Sequence, residues 1–394
     1  MVHRKSARRC LALSLLLVAQ VSCLDEDYTY VDDSLIHEPR VTALRFSVVN
    51  SLIHDDPPSP SDLAPRATAL PLEEVALDVS IVDASGPMSN VDIATKIRPV
   101  WLACLGQTPS TELLPQDPTE CFMRNMPTDL DHISACRTPS VAAVAKSGVP
   151  PSLRGICRLE GTAEVRHTVP IAREFIEDGS LLVAMIGSRP GASSKGCADR
   201  FLGRREFSRT CLVAHHKLHL GPANRLRDVL DAQGLAGLKL EPQGTDEPGP
   251  PDRNLRIAGF QIGRIANVGD PVDEVLKGPD LVEVAPDGRF HATADELYVL
   301  HPVIDARDIQ PLAADESDKE TREAWWYYTS GSGNRAVWSD FEVGRWKLDF
   351  TWSSGARLSE ARAEGMASGL VHLHVVVRDS RAGVGWASFA VEVR

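Results

Sequence analysis

The sequence predicts an all-β chain of two tandem β-sandwich domains, and three observations carry that expectation. Glycine and proline are plentiful, at 28 and 27 of 394 residues, so regular elements must be short and often interrupted. No long segment shows helical apolar periodicity, whereas several short segments alternate apolar and polar residues with the period of two that marks a half-buried strand. Six of the seven tryptophans fall between residues 325 and 386, while the six cysteines after Cys23 fall between 104 and 211. Two regions stabilised by different means are most simply two domains, and a chain of this length exceeds what one ordinary core organises.

The first 22 residues read as a leader. Met1 to Arg9 carries four basic residues and no acid, and the apolar run from Cys10 to Val21 is 12 residues long. A membrane-spanning helix needs about 20 apolar residues, so the run fits a secretory signal better than a stable anchor. Cys23 follows the small residue Ser22 and resembles the lipobox of bacterial lipoproteins, although Gln20 stands where that pattern has leucine. The resemblance implies acylation of Cys23, two or more chains giving stable anchoring where one gives marginal binding. Leu24 after the cysteine, rather than aspartate, implies an outer-membrane destination. A plainly secreted protein and an uncleaved anchor are the alternatives.

The whole chain has a net charge of −12, from 42 basic and 54 acidic residues. Removing residues 1–22 takes away four basic residues and no acid, leaving 38 against 54, or −16. An acidic chain lacks the basic residues that supply most of the affinity for nucleic acid, so no nucleic-acid partner is expected.

Taken in order, residues 23–40 are acidic and polar and read as a tether behind a lipid on Cys23. Residues 41–240 read as the first domain. Leu44, Phe46 and Val48 alternate with Arg45 and Ser47, and Val75, Leu77, Val79 and Ile81 alternate with Asp78 and Ser80. Ile97 to Cys104 is a third strand with Trp101 as a core anchor. Leu181 to Ile186 is an unbroken apolar run of strand length, as expected of a strand buried on both faces. Cys211 to Leu220 turns Leu212, Ala214, Leu218 and Leu220 to one side. A cysteine-bearing excursion of about 105–160 interrupts this domain, with a short helix near Val141 to Lys146, and a second short helix is expected over Ala223 to Leu235. Residues 241–253 (EPQGTDEPGPPDR) read as a linker. Residues 254–394 form the second domain, with strands at Leu255 to Ile265, Leu297 to Ile304, Ala324 to Tyr328, Trp346 to Trp352, Leu370 to Arg378 and Trp386 to Arg394.

Cys104, Cys121, Cys136, Cys157, Cys197 and Cys211 are an even set in an exported chain and read as disulfides, for which fifteen pairings exist. Cys197 with Cys211 across a polar loop is one candidate pair, and the other four would staple the excursion. None of the spacings is C-x-x-C, which argues against a zinc ribbon.

No motif names a reaction. His215, His216 and His219 fall in one strand, where His216 faces away from the other two, and His215 lies about 13 Å from His219. His372 and His374 share a face about 7 Å apart and are weak metal candidates lacking a third ligand; read plainly, they are polar residues on the outward face opposite Val371, Leu373, Val375 and Val377. Thr329 to Asn334 is serine-rich without being a G-x-S-x-G elbow, and no phosphate-binding glycine motif is present. Asp25 to Asp27 and Asp315 to Asp318 lack the spaced ligands of a calcium loop. No cofactor is expected.

The segment LVHLHVVVRDSRAGVGWASFAVEVR, with a strand ending in V-V-R-D, a tight turn and a final strand, resembles the last hairpin of immunoglobulin-like and PKD-like domains. With E-A-W-W-Y-Y-T-S-G and N-L-R-I-A-G, it resembles a group of uncharacterised bacterial outer-membrane lipoproteins with immunoglobulin-like domains. The resemblance implies two immunoglobulin-like sandwiches and Arg378 and Asp379 at the hairpin turn, and brings no catalytic residues. The function expected is therefore a non-enzymatic, lipid-anchored envelope protein with an unknown protein or glycan partner. The alternative is a secreted hydrolase or metal-dependent enzyme using His167, His215 and His216. A carbohydrate-binding module would need Trp325, Trp326 and Trp338 exposed and coplanar.

Overall fold

The computed structural model describes residues 34–53, 63–105, 129–147, 155–172, 175–176, 179–203, 205, 208–238, 251–266, 272–309, 322–330, 332–334, 350–353, 370–379 and 381–394. Cys23, the leader, most of the tether and the greater part of the cysteine-bearing excursion lie outside them.

Four sheets make up two face-to-face pairs. Sheet I holds β1 (Arg40–Asn50), β2 (Glu74–Asp83), β3 (Gly86–Pro87) and β6 (Glu164–Thr168). β1 runs antiparallel to β2 with Leu44 opposite Val79 and Phe46 opposite Leu77. The alternation in the sequence sets the inner face: Leu44, Phe46, Val48, Val75, Leu77, Val79 and Ile81 all enter one core. Sheet II has the order β5 (Gly155–Leu159), β4 (Val100–Leu105), β7 (Ser180–Ser188), β8 (Cys211–His219). It supplies Trp101, Leu181, Val183, Met185, Leu212 and Leu218 to the same core. Trp101 is fully buried, and its indole N–H donates to the Thr162 carbonyl at 2.6 Å.

β7 is apolar on both faces because both faces are covered. Leu182, Ala184 and Ile186 point away from sheet I and pack on the helix Ser194–Leu202 through Cys197, Ala198, Phe201 and Leu202. That helix starts at Ser193, whose hydroxyl accepts from the Gly196 N–H at 2.9 Å. A further cluster gathers the helix Leu226–Ala232, through Leu226, Val229 and Leu230, with Ile53, Leu70, Val144, Ile171 and Ile176.

Beyond residue 250, sheet III has the order β10 (Val282–Val284), β9 (Ile257–Ile265), β12 (Leu297–Ile304), β15 (Phe350–Ser353), β14 (Ser332–Asn334). Sheet IV has the order β11 (Arg289–Ala292), β17 (Val384–Val393), β16 (Leu370–Asp379), β13 (Arg322–Tyr328), with β11 parallel to β17. Between them Phe260 meets Phe389 at 4.5 Å between ring centroids and Trp326 at 5.9 Å, around a fully buried Trp352.

This architecture overturns the all-β expectation and the description as two immunoglobulin-like sandwiches. The fold is mixed α/β: its sheets are open, and helices at Val141–Ser147, Ser194–Leu202, Leu226–Ala232 and Val272–Val275 accompany them. The physical reason lies in sheet II, which has two apolar faces and therefore needs a third layer. A helix of 9 residues provides it, too short to leave a long periodic signal in the sequence.

Candidate functional site

The two sheet pairs meet along a seam where the outer face of sheet I covers the outer face of sheet IV. Ala43 packs there on Val376 and Val384, with Tyr327 and Trp386 beside them. The Arg45 guanidinium lies over the Trp386 ring, 4.2 Å from its centroid, and is paired with Asp78 at 3.0 Å. His372 and His374 project into this seam, so the face that the alternation turns outward from one core is covered by the other sheet pair rather than by water. His374 is 1% exposed. Its Nε2 is 3.1 Å from both the Thr42 and Ser80 hydroxyls, and its Nδ1 is 2.7 Å from the Ser388 hydroxyl. Both ring nitrogens are thus engaged by hydroxyls, one as donor and one as acceptor, an arrangement that leaves neither nitrogen for a metal ion. Burial holds the His374 pKa down at about 3 and lowers that of His372. Among the described residues no group of three or more His, Cys, Asp or Glu is placed to hold a metal.

A second joint lies at the far end of the seam. Asn254 donates to the Phe46 carbonyl at 2.6 Å and to the Ser47 hydroxyl at 3.2 Å, and accepts from the Val384 N–H at 3.2 Å. The backbone of 64–67 runs against 252–254, with Ala67 N–H to Asp252 at 2.9 Å and Asn254 N–H to Pro65 at 2.9 Å. Arg66 and Glu73 stand behind this joint as a buried ion pair with both side chains at 0% exposure. Arg66 also donates to the Thr68 and Gly221 carbonyls, each at 3.1 Å, and Glu73 accepts from the Leu52 and Leu70 N–H groups at 2.9 and 2.8 Å. The charges are satisfied by a fixed shell rather than aimed at a cavity.

Of the histidines of the alternative enzyme reading, two face the first core and one faces away from it. His167 sits on β6 of sheet I beside the inward-facing Val165, and burial lowers its pKa to about 4. His216 faces the same core from sheet II and stacks on Phe46 at 5.3 Å; burial first, then the charge of Arg378, lowers its pKa to about 3. His215 is exposed on the opposite face of β8. Burial also lowers the His219 pKa.

Cys136 is bonded to Cys157 and Cys197 to Cys211. Cys104 is also disulfide-bonded, and Cys121 lies outside the described residues. The Cys197–Cys211 bond ties the helix Ser194–Leu202 to the start of β8. The segment 34–40 ahead of β1 is clamped to both sheet pairs: Ile36 N–H donates to Tyr328 at 2.8 Å, and Arg189 pairs with Glu38 and donates to the Pro39 carbonyl at 3.2 Å.

At the β16–β17 turn one Asp379 oxygen accepts from the N–H groups of Arg381, Ala382 and Gly383 at 2.9, 3.0 and 2.9 Å. Burial raises the Asp379 pKa against these bonds. Thr329 is buried and accepts the His372 N–H at 2.9 Å, which carries the β13–β16 pairing one residue past the end of β13. Trp325 is 39% exposed and Trp326 is 3% exposed on the opposite face of β13, so the two cannot form one flat binding platform. Trp338, Asp25 to Asp27 and Asp315 to Asp318 lie outside the described residues.

The buried hydroxyl–imidazole cluster was missed at the level of sequence, where alternation shows that His374 leaves one core but not that a second sheet receives it. Compared with known proteins, the chain matches no protein-family model, and no curated protein sequence matches it.

Proposed function

We propose that the chain is an exported, lipid-anchored envelope protein with a structural or binding role, presenting surface loops to a protein or glycan partner rather than catalysing a reaction. The observation that carries this reading is the basic start, the 12-residue apolar run and Cys23 directly after Ser22. The bonds Cys136–Cys157 and Cys197–Cys211 support export, because disulfides persist in oxidising compartments. A non-catalytic role is supported, among the described residues, by the hydrogen-bonded burial of His374 and by the placement of His215 and His216 on opposite faces of β8.

Mass spectrometry of the mature N-terminus in an envelope fraction tests the anchor. The expected product begins at a doubly or triply acylated Cys23, and Cys23→Ser leaves the chain unacylated and extractable without detergent. A free amino terminus at any other residue in the wild-type protein overturns the lipid anchor.

A further inference from the structure

The seam differs from the cores on either side of it, because its centre is polar and its two ends are built differently. At one end the backbone of 64–67 and 252–254 and the amide of Asn254 hold the sheet pairs together, with the buried Asp379, whose pKa burial raises, at the turn beside them. At the other end an imidazole sits among three hydroxyls, Thr42 and Ser80 from sheet I and Ser388 from its own sheet, beside the Ile36 N–H bond to Tyr328 that ties the chain ahead of β1 to sheet IV. A neutral imidazole satisfies this setting with one donor and one acceptor, since hydroxyl hydrogens rotate to suit. A doubly protonated ring would place a full charge between two β layers. The charged and imidazole groups on the strands packed around it are Arg40 and Arg45 of β1, Glu74, Asp78 and Asp83 of β2, Arg322 and Glu323 of β13, His372, Arg378 and Asp379 of β16, and Glu392 of β17. None of these carboxylates contacts the His374 ring, and Asp78 is already paired with Arg45.

We propose that the His374 end of the seam is an acid-sensitive latch: protonation of its imidazole swings β16 and β17 away from β1 and β2, while the Asn254 joint holds as a hinge. The direction follows from linkage. Closed, the ring resists protonation down to about pH 3, against an ordinary value of 6.5. An opened seam exposes the ring to water and lets it take up the proton at its ordinary pKa. Each pH unit below 6.5 therefore favours the open form about tenfold, or about a hundredfold by pH 4.5. His372, in the same seam, acts in the same direction.

The test is hydroxyl-radical footprinting of the full mature chain across the range from about pH 7.5 to about pH 4.5, read by mass spectrometry. Trp386 and Tyr327 report the seam, and Trp101 and Phe389 report the two cores. Labelling of the seam pair is expected to rise about threefold while the core pair stays constant. His374→Gln, which keeps a donor and an acceptor but takes no proton, abolishes the rise. Ser388→Asp, which gives the protonated ring a counter-ion, moves the rise about one pH unit lower and serves even if the glutamine variant fails to fold. The proposal is overturned by an unchanged rise in either variant, by seam and core labels rising together, or by no rise at all.

Discussion

Sheets II and IV are each covered on both faces, and the difference between their coverings separates rigid from separable parts of this molecule. The outer face of sheet II is met by a helix from the same half of the chain, and the contact is mainly apolar, Leu182, Ala184 and Ile186 against Ala198, Phe201 and Leu202, with one buried hydroxyl pair where Ser194 donates to Ser188 at 3.2 Å. A disulfide from Cys197 to Cys211 then fixes that helix to the sheet's edge strand. The outer face of sheet IV is met by the other half of the chain, and hydroxyls, an imidazole and a guanidinium interrupt the apolar contact. An all-apolar layer opened to water loses its whole burial energy, about 25 cal/mol for each Å². A layer whose polar groups can bond to water instead loses less. A two-faced sheet can therefore be part of a fixed body or one wall of a joint, depending on what covers it.

Four outcomes sharpen or break this contrast. The largest effect is expected from Glu73→Ala, which strands the buried Arg66 charge behind the Asn254 joint and should cost about 3–5 kcal/mol; a urea titration showing less than about 1 kcal/mol would mean that the pair carries nothing. Leu182→Ala on the helix-covered face should cost about 2–5 kcal/mol, more than Val376→Ala in the seam, and a reversed order in the same titration would remove the contrast. Replacing Cys197 and Cys211 together with serine opens a loop of 14 residues and should cost about 3 kcal/mol. In a thermal melt that loss should appear in the first half, with the tryptophan near-UV signal of the second half melting as before. Trp325→Ala should change stability by no more than about 0.5 kcal/mol, since its ring is the exposed partner of the Trp325–Trp326 pair; a larger loss would place an unrecognised contact on β13.

Strand positions were readable because period-two alternation depends on one nearby apolar layer. β2 shows it in Val75, Leu77, Val79 and Ile81, which enter the first core, and β16 shows it in Val371, Leu373, Val375 and Val377, which enter the second. The continuous run in β7 announced two covered faces. What covered the second face was not readable. The helix Ser194–Leu202 displays Ser193 and Gly203 at its ends and apolar residues at 197, 198, 201 and 202, but Lys195, Asp199 and Arg200 dilute the signal over 9 residues. The same limit applies to the candidate histidines. Alternation places His374 and Val375 on opposite faces, and nothing local to residues 370–379 indicates that Thr42 and Ser80 lie across from it. Fold class was misjudged for this reason, since it depends on what lies between layers, whereas strand existence depends on a single layer.

The clamp on residues 34–40 and the Thr42 contact bear on how the chain is made. Thr42 lies 332 residues from His374, and Ile36 is held by Tyr328. The leading strand is made first, yet the surfaces that complete its outer face are among the last to be made. Contacts of such sequence separation close slowly. The newly made chain must therefore carry an uncovered sheet face, Ala43 and Val82 among its residues, until the final hairpin docks. Truncation before β16 should leave a chain whose first core forms while this face stays open to aggregation.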